Sequence, residues 1–165
     1  MHAVNTLVIV DAFILSTISV SYNPMAFHAN LGSSFNIQDN SKINTVVYDD
    51  VILNVGNGYD SETGIFTCRK AGLYSFSWTS LTPPGKSFET RFILNEKRIA
   101  GNRANAVGIN QYVQGTKTVV VEMREGDTAK INTIKSQAAQ SLYGDSNSFS
   151  SFSGIKVDDL KCEEI

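Results

Sequence analysis

The sequence predicts an all-β sandwich, and three observations carry that expectation. Beyond Asn23 apolar residues recur with a period of two; Gly, Asn, Asp or Pro interrupt them every several residues; and no heptad seam, internal repeat or charge run is present. Many short strands at this spacing imply two packed sheets, and a jelly roll is the form that closes off most edges. The 165 residues suit one domain with a sizeable core, and 42% hydrophobic against 18% charged residues excludes disorder as the main state.

The first element is apolar. From Thr6 to Val20 the chain carries Leu7-Val8-Ile9-Val10 and then Ala12-Phe13-Ile14-Leu15, too short a run to span a bilayer as one clean helix. Ser19 and Ser21 place small side chains upstream of a cleavage point before Tyr22, as in a secretory signal peptide. Residues 1–21 are therefore expected to be a removed leader and the mature chain to be extracellular. His2 stands where Lys or Arg is usual and Asp11 interrupts the stretch, so a buried strand is the competing expectation. No second apolar stretch approaches membrane length, which argues against membrane insertion.

The strands follow from alternation. Val51, Leu53 and Val55 alternate with Ile52 and Asn54; Tyr74, Phe76 and Trp78 with Leu73, Ser75 and Ser77; Val119, Val121 and Met123 with Thr118, Val120 and Glu122. Each pattern gives one packed face and one more polar face, as antiparallel sheets require. Gly56-Asn57-Gly58, residues 60–64, Pro83-Pro84-Gly85 and Glu125-Gly126-Asp127 supply turns. Residues 101–114 and 136–151 lack clear alternation, are rich in Asn, Ser or Gln, and are expected to be long surface loops.

Charge and composition narrow the function. A net charge of -2 without Lys/Arg blocks removes the electrostatic footprint of a nucleic-acid binder or a polybasic membrane anchor. With His2 in the leader, His28 is the one candidate base, and a lone histidine among apolar residues points to a structural role. Asp49 and Asp50 are adjacent, so on a strand they face opposite ways and cannot act as a carboxylate pair. Residues 60–64 lack calcium-loop spacing, and Gly56-Asn57-Gly58 precedes no helix pattern that would cradle phosphate. An enzyme is not expected, nor a cofactor.

The most specific feature begins at Tyr48. Asn54, Tyr59, Phe66, Gly72, Tyr74 and Phe76 follow it at fixed spacing, then Trp78; later come Gly126-Asp127, Leu142-Tyr143-Gly144-Asp145 and Phe152-Ser153-Gly154. This pattern resembles the globular-head domain of the complement C1q family, with Tyr48 and Trp78 as conservative aromatic departures. The resemblance covers most of residues 24–158, so residues 22–158 are expected to form the domain and 159–165 a short tail. It implies a ten-stranded jelly roll of the C1q/tumour-necrosis-factor type, a first strand at Met25–Ala29 and a homotrimer. The expected trimer face is the sheet with residues 72–78 and 152–157, where Leu73, Ile155 and Val157 oppose the core aromatics and need cover. The signature residues themselves are expected to build the fold rather than bind ligand.

The resemblance also frames the ligand expectations. Some relatives hold calcium at the trimer apex through carboxylates of one loop; the matching residues 101–115 contain no Asp or Glu, so no metal site is expected. Cys68 is expected to begin the strand that runs to Trp78, and the resemblance places the start of that strand near the end of the last one, so an internal Cys68–Cys162 disulfide is feasible; alternatively Cys68 is a small buried residue and Cys162 joins protomers. No Asn-x-Ser/Thr sequon occurs. The implied function is a secreted lectin-like pattern-recognition protein of innate immunity, binding glycans, lipopolysaccharide or other anionic patterns. Arg103, Asn105, Asn110, Tyr112 and Tyr143 are the expected contacts, because loop amide, cationic and aromatic groups suit sugars. A trimeric ligand for a cell-surface receptor is the alternative, and an extracellular-matrix or mineral-associated protein is a third.

Overall fold

The structure, a computed structural model, describes residues 24–37, 42–135, 140–147 and 149–159. The expected leader, Cys162 and all but the first residue of the expected tail lie outside the described residues. Twelve strands are described: β1 (Ala26–Asn30), β2 (Phe35–Asn36), β3 (Asp50–Val55), β4 (Tyr59–Asp60), β5 (Ile65–Thr67), β6 (Gly72–Thr82), β7 (Ser87–Leu94), β8 (Lys97–Asn105), β9 (Val113–Met123), β10 (Thr128–Thr133), β11 (Ser141–Leu142) and β12 (Ser151–Asp158). Ten of them form two antiparallel five-stranded sheets, β3-β1-β12-β6-β9 and β4-β5-β10-β7-β8, and β2 and β11 pair separately. No helix among the described residues is long and apolar enough to cross a membrane.

Strict alternation makes β6 the spine of the core. Gly72, Tyr74, Phe76, Trp78, Ser80 and Thr82 point inward and are buried, and the residues between them point out. Opposite them the second sheet supplies Phe66, Phe88, Phe92 and Ile131, all buried in the same core. Phe27 sits at the centre of the aromatic packing, stacked on Tyr59 at a centroid distance of 4.6 Å and edge-on to Phe152 at 4.9 Å. Burial of each such ring is worth roughly 1.5–3 kcal/mol, so this cluster dominates the stability of the sandwich. Trp78 also donates its indole N–H to Thr90 Oγ1 at 2.9 Å, which satisfies its one polar atom inside the core.

The spaced aromatic pattern has a local physical cause. Asn54 closes the β3–β4 turn by donating its amide to Tyr59 O at 2.8 Å and accepting from Tyr59 N–H at 3.1 Å. Tyr59 in turn donates its hydroxyl to Tyr48 O at 2.9 Å, so Tyr48, Asn54 and Tyr59 form one hydrogen-bonded unit. Desolvation raises the pKa of both tyrosines, which keeps their hydroxyls neutral in the core. Gly154 stands directly between Phe27 of β1 and Phe76 of β6 in the register. A Cβ there would meet those rings at 2.5 and 2.6 Å, so only glycine lets them lean together. Gly72 is held to glycine likewise, since an added Cβ would lie 2.5 Å from Asp158 O.

The outer face of the first sheet is graded in polarity. Val55, Ala26, Ile155, Ser75 and Val120 form one row across its five strands, near the end where the chain enters β1 and leaves β12. The next row is Leu53, His28, Ser153, Ser77 and Thr118, where His28 Nδ1 lies 2.7 Å from Ser153 Oγ and Thr118 donates to Ser77 Oγ at 3.2 Å. His28 thus occupies a strand and has a structural partner. Leu73, Ile155 and Val157 are 36%, 55% and 58% exposed, and Val120 adds 59%. In the single chain they leave an apolar strip uncovered.

Several elements depart from expectation. Residues 101–114 are not one long loop: Gly101–Asn105 end β8 and Val113–Gln114 begin β9, leaving only 106–112 as loop. Alternation is hidden there because Asn102 faces inward, where its amide donates to Gly115 O at 2.9 Å and ties the β8 and β9 edges together. In the second stretch, Ser141–Leu142 form β11 and pair with β2. Cys68 does not begin β6; it lies in the turn after β5, with its backbone bonded to Gly126 and Asp127. The alternation of β3 does not bury a face in the single chain, because β3 is an edge strand whose Val51, Leu53 and Val55 remain exposed.

Candidate functional site

The far end of the sandwich, opposite the entry to β1 and the exit of β12, is built where the β6–β9 ladder ends at the Thr82–Val113 pair. Two loops converge on it. The 106–112 loop is a tight wrap: Ala106 N–H donates to Lys86 O at 2.8 Å, Ile109 N–H to Ala106 O at 3.0 Å, and Asn105 Oδ1 accepts from Val107 N–H at 3.2 Å. Gly108 supplies the positive φ of 76° that the wrap needs. Tyr112 is delivered immediately before β9 and is 52% exposed.

The second loop is pinned to β6. Tyr143 N–H donates to Leu81 O at 2.7 Å, and Ser150 Oγ both donates to Tyr143 O at 2.7 Å and accepts from Leu81 N–H at 3.1 Å. Asp145 then caps its own turn, accepting from Asn147 N–H at 2.8 Å and from the Asn147 amide at 2.6 Å. Gln114 of β9 donates to Phe149 O at 3.3 Å and joins this loop to the first sheet. The Tyr112 and Tyr143 rings consequently meet edge to face, with centroids 5.1 Å apart.

Between these loops lies an open cavity of about 390 Å³. Tyr112, Tyr143, Phe149 and Leu81 form its apolar walls, and Gln114, Asp145 and Asn147 its polar ones. The Tyr143 hydroxyl donates to Asp145 Oδ2 at 3.1 Å, and this bond, with the carboxylate's charge, raises the tyrosine's pKa. Desolvation pushes the Asp145 carboxyl up, but the hydrogen bonds from Asn147 and Tyr143 outweigh it and hold the pKa below the usual carboxylate value. Near neutral pH the pocket therefore offers aromatic faces, amide groups and one carboxylate, with no cation among its lining residues. Such a set suits hydroxyl-rich neutral groups: ring faces pack on the apolar side of a sugar while amide and carboxylate groups bond its hydroxyls.

Of the five expected contacts, the fold brings together Tyr112 and Tyr143. Arg103 and Asn105 are exposed on β8, with Arg103 O close to Gly115, and Asn110 lines a separate shallow depression with Pro84, Gly85 and Ile109. Gln114, Asp145 and Asn147 were not anticipated. The Asp145-Ser146-Asn147 turn pattern is a local signal that marks the last two, since a side chain that caps its own turn stays at the surface with its remaining lone pairs available. The Cys68 thiol is buried and donates to Lys70 O at 3.0 Å, while Cys162 lies outside the described residues, so none of the expected arrangements is selected.

The chain matches the family model of the C1q domain over residues 26–157. It is 24% identical over 110 residues to human complement C1q and tumor necrosis factor-related protein 9B, and 22% identical over 110 residues to protein 9A. These alignments cover 67% of this chain and 32% of each relative, so the chain spans about a third of their length. Among solved structures it is similar to the globular domain of zebrafish complement 1qA, with a TM-score of 0.65 and 15% identity over 82% of this chain and 99% of that one. It is also similar to murine APRIL, with a TM-score of 0.61 and 12% identity over 81% and 99% of the two chains. Eiger TNF from S. frugiperda gives a TM-score of 0.62 and 9% identity over 86% and 96%. These likenesses agree with the jelly-roll expectation, and the family match over residues 26–157 places the chain in the C1q domain family.

Proposed function

We propose that this chain is a secreted, non-enzymatic recognition protein that acts as a homotrimer and binds glycans in innate immune pattern recognition. The observation that carries this proposal is the exposed Tyr112–Tyr143 pair, set beside the Asp145, Asn147 and Gln114 polar groups in one open cavity. Tyr112 and Tyr143 would provide the stacking surface, while Arg103, Asn105 and Asn110 on neighbouring segments would contact outlying or acidic units of a longer glycan, lipopolysaccharide included. Weak single-site binding would gain from three copies in one assembly. The apolar strip of Leu73, Ile155, Val157 and Val120 supports burial of this sheet between protomers.

The experiment is a glycan and lipopolysaccharide array probed with the purified protein and with its Tyr112→Ala variant. Saturable signals lost in the variant support the proposal. The similarity to APRIL and Eiger TNF favours a second possibility, a trimeric ligand for a cell-surface receptor. Blank arrays combined with saturable binding to one membrane protein would select that possibility.

A further inference from the structure

A second site lies on the outer face of the other sheet. There β7, β8, β10 and the segments beside β10 form a groove of about 590 Å³, floored by Ile93 and Ile134, with the exposed Ile43 beside them and Arg91, Arg98 and Lys135 around them. Arg91, Arg98 and Lys135 come from three separate segments, so only the fold collects them.

Two features place the cations. Arg98 owes its position to a bulge: β8 pairs Ala100 with Phe92 but Arg98 with Ile93, so the intervening Ile99 is the extra residue. Directly paired residues share a face. Phe92 points into the core and Ile93 away from it, so the bulge turns Arg98 onto the outer face instead of leaving it on the core side. Arg91 is fixed by other means. Its guanidinium lies across Gly101, where an added Cβ would meet Nη1 at 2.9 Å, and it donates to Thr90 O at 3.2 Å and pairs with Glu89 at 2.5 Å.

The charge balance favours an anion. Among the described residues Glu96 is the one carboxylate in the groove lining, and Lys130 binds it at 2.7 Å. Glu89 and Glu96 therefore face Arg91, Arg98, Lys130 and Lys135, a local cationic excess on a chain whose net charge is -2. A bare inorganic anion would leave the isoleucine floor unused, and a neutral lipid would leave the cations unmatched. We infer that this groove binds a free amphiphilic organic anion, with a carboxylate, sulfate or phosphate head between Arg98, Arg91 and Lys135 and an aliphatic body on Ile93 and Ile134. The site is separate from the Tyr112–Tyr143 pocket, so either can fail without the other.

The test is titration of the full protein with monomeric octyl sulfate, followed by amide chemical shifts. Saturable shifts at Ile93, Asn132 and Ile134 are expected, with inorganic sulfate binding about tenfold or more weakly because the apolar contact is missing. Arg98→Gln with Lys135→Gln should weaken octyl sulfate by about tenfold or more, through loss of charge-assisted bonds, with the spectrum of the folded sandwich retained. Tyr112→Ala should leave this binding unchanged. Equal affinity for sulfate and octyl sulfate, full affinity in the Arg98/Lys135 double variant, or binding only to anionic phospholipid vesicles and not to the monomer would each overturn the inference.

Discussion

Tyr112 and Tyr143 meet edge to face with centroids 5.1 Å apart, although they belong to different loops. Their meeting depends on backbone anchors, because Tyr143 N–H is bonded to Leu81 O and Tyr112 directly precedes the strand paired with that segment. The pocket is thus positioned by the rigid end of the β6–β9 ladder. Tyr143→Phe keeps the ring and removes the bond to Asp145, so it should preserve thermal stability while weakening glycan binding. Calorimetric titration beside a melting curve checks both.

Acid should loosen the same loop. The Asp145 pKa is held below its ordinary value by hydrogen bonds from Asn147 and Tyr143, so the folded loop favours the ionised carboxylate. That stabilisation is complete above the ordinary carboxylate pKa and is lost as pH falls through the lowered folded value. Amide shifts of Tyr143 and Asn147 should therefore titrate below the usual aspartate range, and Asp145→Asn should abolish that titration.

Gly154 should tolerate no side chain. A Cβ would press on the Phe27 and Phe76 rings at the centre of the core. Gly154→Ala should cost about 1–3 kcal/mol by overpacking, read as a lower denaturation midpoint. Gly85, around which an added Cβ meets nothing within 4 Å, tests the contrast: its φ of 71° leaves only the backbone penalty of a non-glycine residue, about 1–2 kcal/mol, with no core disturbance.

Thr90 is buried for its hydroxyl. Thr90→Val preserves shape but leaves the Trp78 indole N–H without its acceptor inside the core. A loss of about 1–3 kcal/mol is expected from chemical denaturation, accompanied by a change in tryptophan fluorescence.

The apolar strip of the first sheet should govern assembly. Val120 and Ile155 lie in one cross-strand row on either side of Ser75. Val120→Glu combined with Ile155→Glu should convert a trimer into monomers in light scattering while leaving the aromatic core intact. Trimer mass in that variant would move the interface elsewhere.

The sequence made the core legible wherever alternation and aromatic spacing coincided. Tyr74, Phe76 and Trp78 are inward and buried, and Tyr48, Asn54 and Tyr59 form one bonded unit whose spacing is set by the turn they close. It misled where a polar residue served the interior. Asn102 is buried for its hydrogen bond to Gly115 O, so the 101–105 part of β8 read as loop. The β7–β8 turn at Asn95-Glu96 went unread because Glu96 adopts φ of 63° without being glycine, held there while Asn95 bonds Asp127 and Thr128. Two of the seven residues that line the pocket, Tyr112 and Tyr143, are among the expected contacts. Gln114, Asp145 and Asn147 are not, because their role depends on two loops meeting in space.

The account rests most heavily on the aromatic pocket as the ligand site. The direct measurement is an amide chemical-shift titration of the protein with a glycan selected from the array. The account predicts saturable shifts confined to Leu81, Tyr112, Gln114 and residues 143–149, lost in Tyr112→Ala. Saturable shifts centred elsewhere on the sandwich, or undiminished binding in that variant, would contradict it.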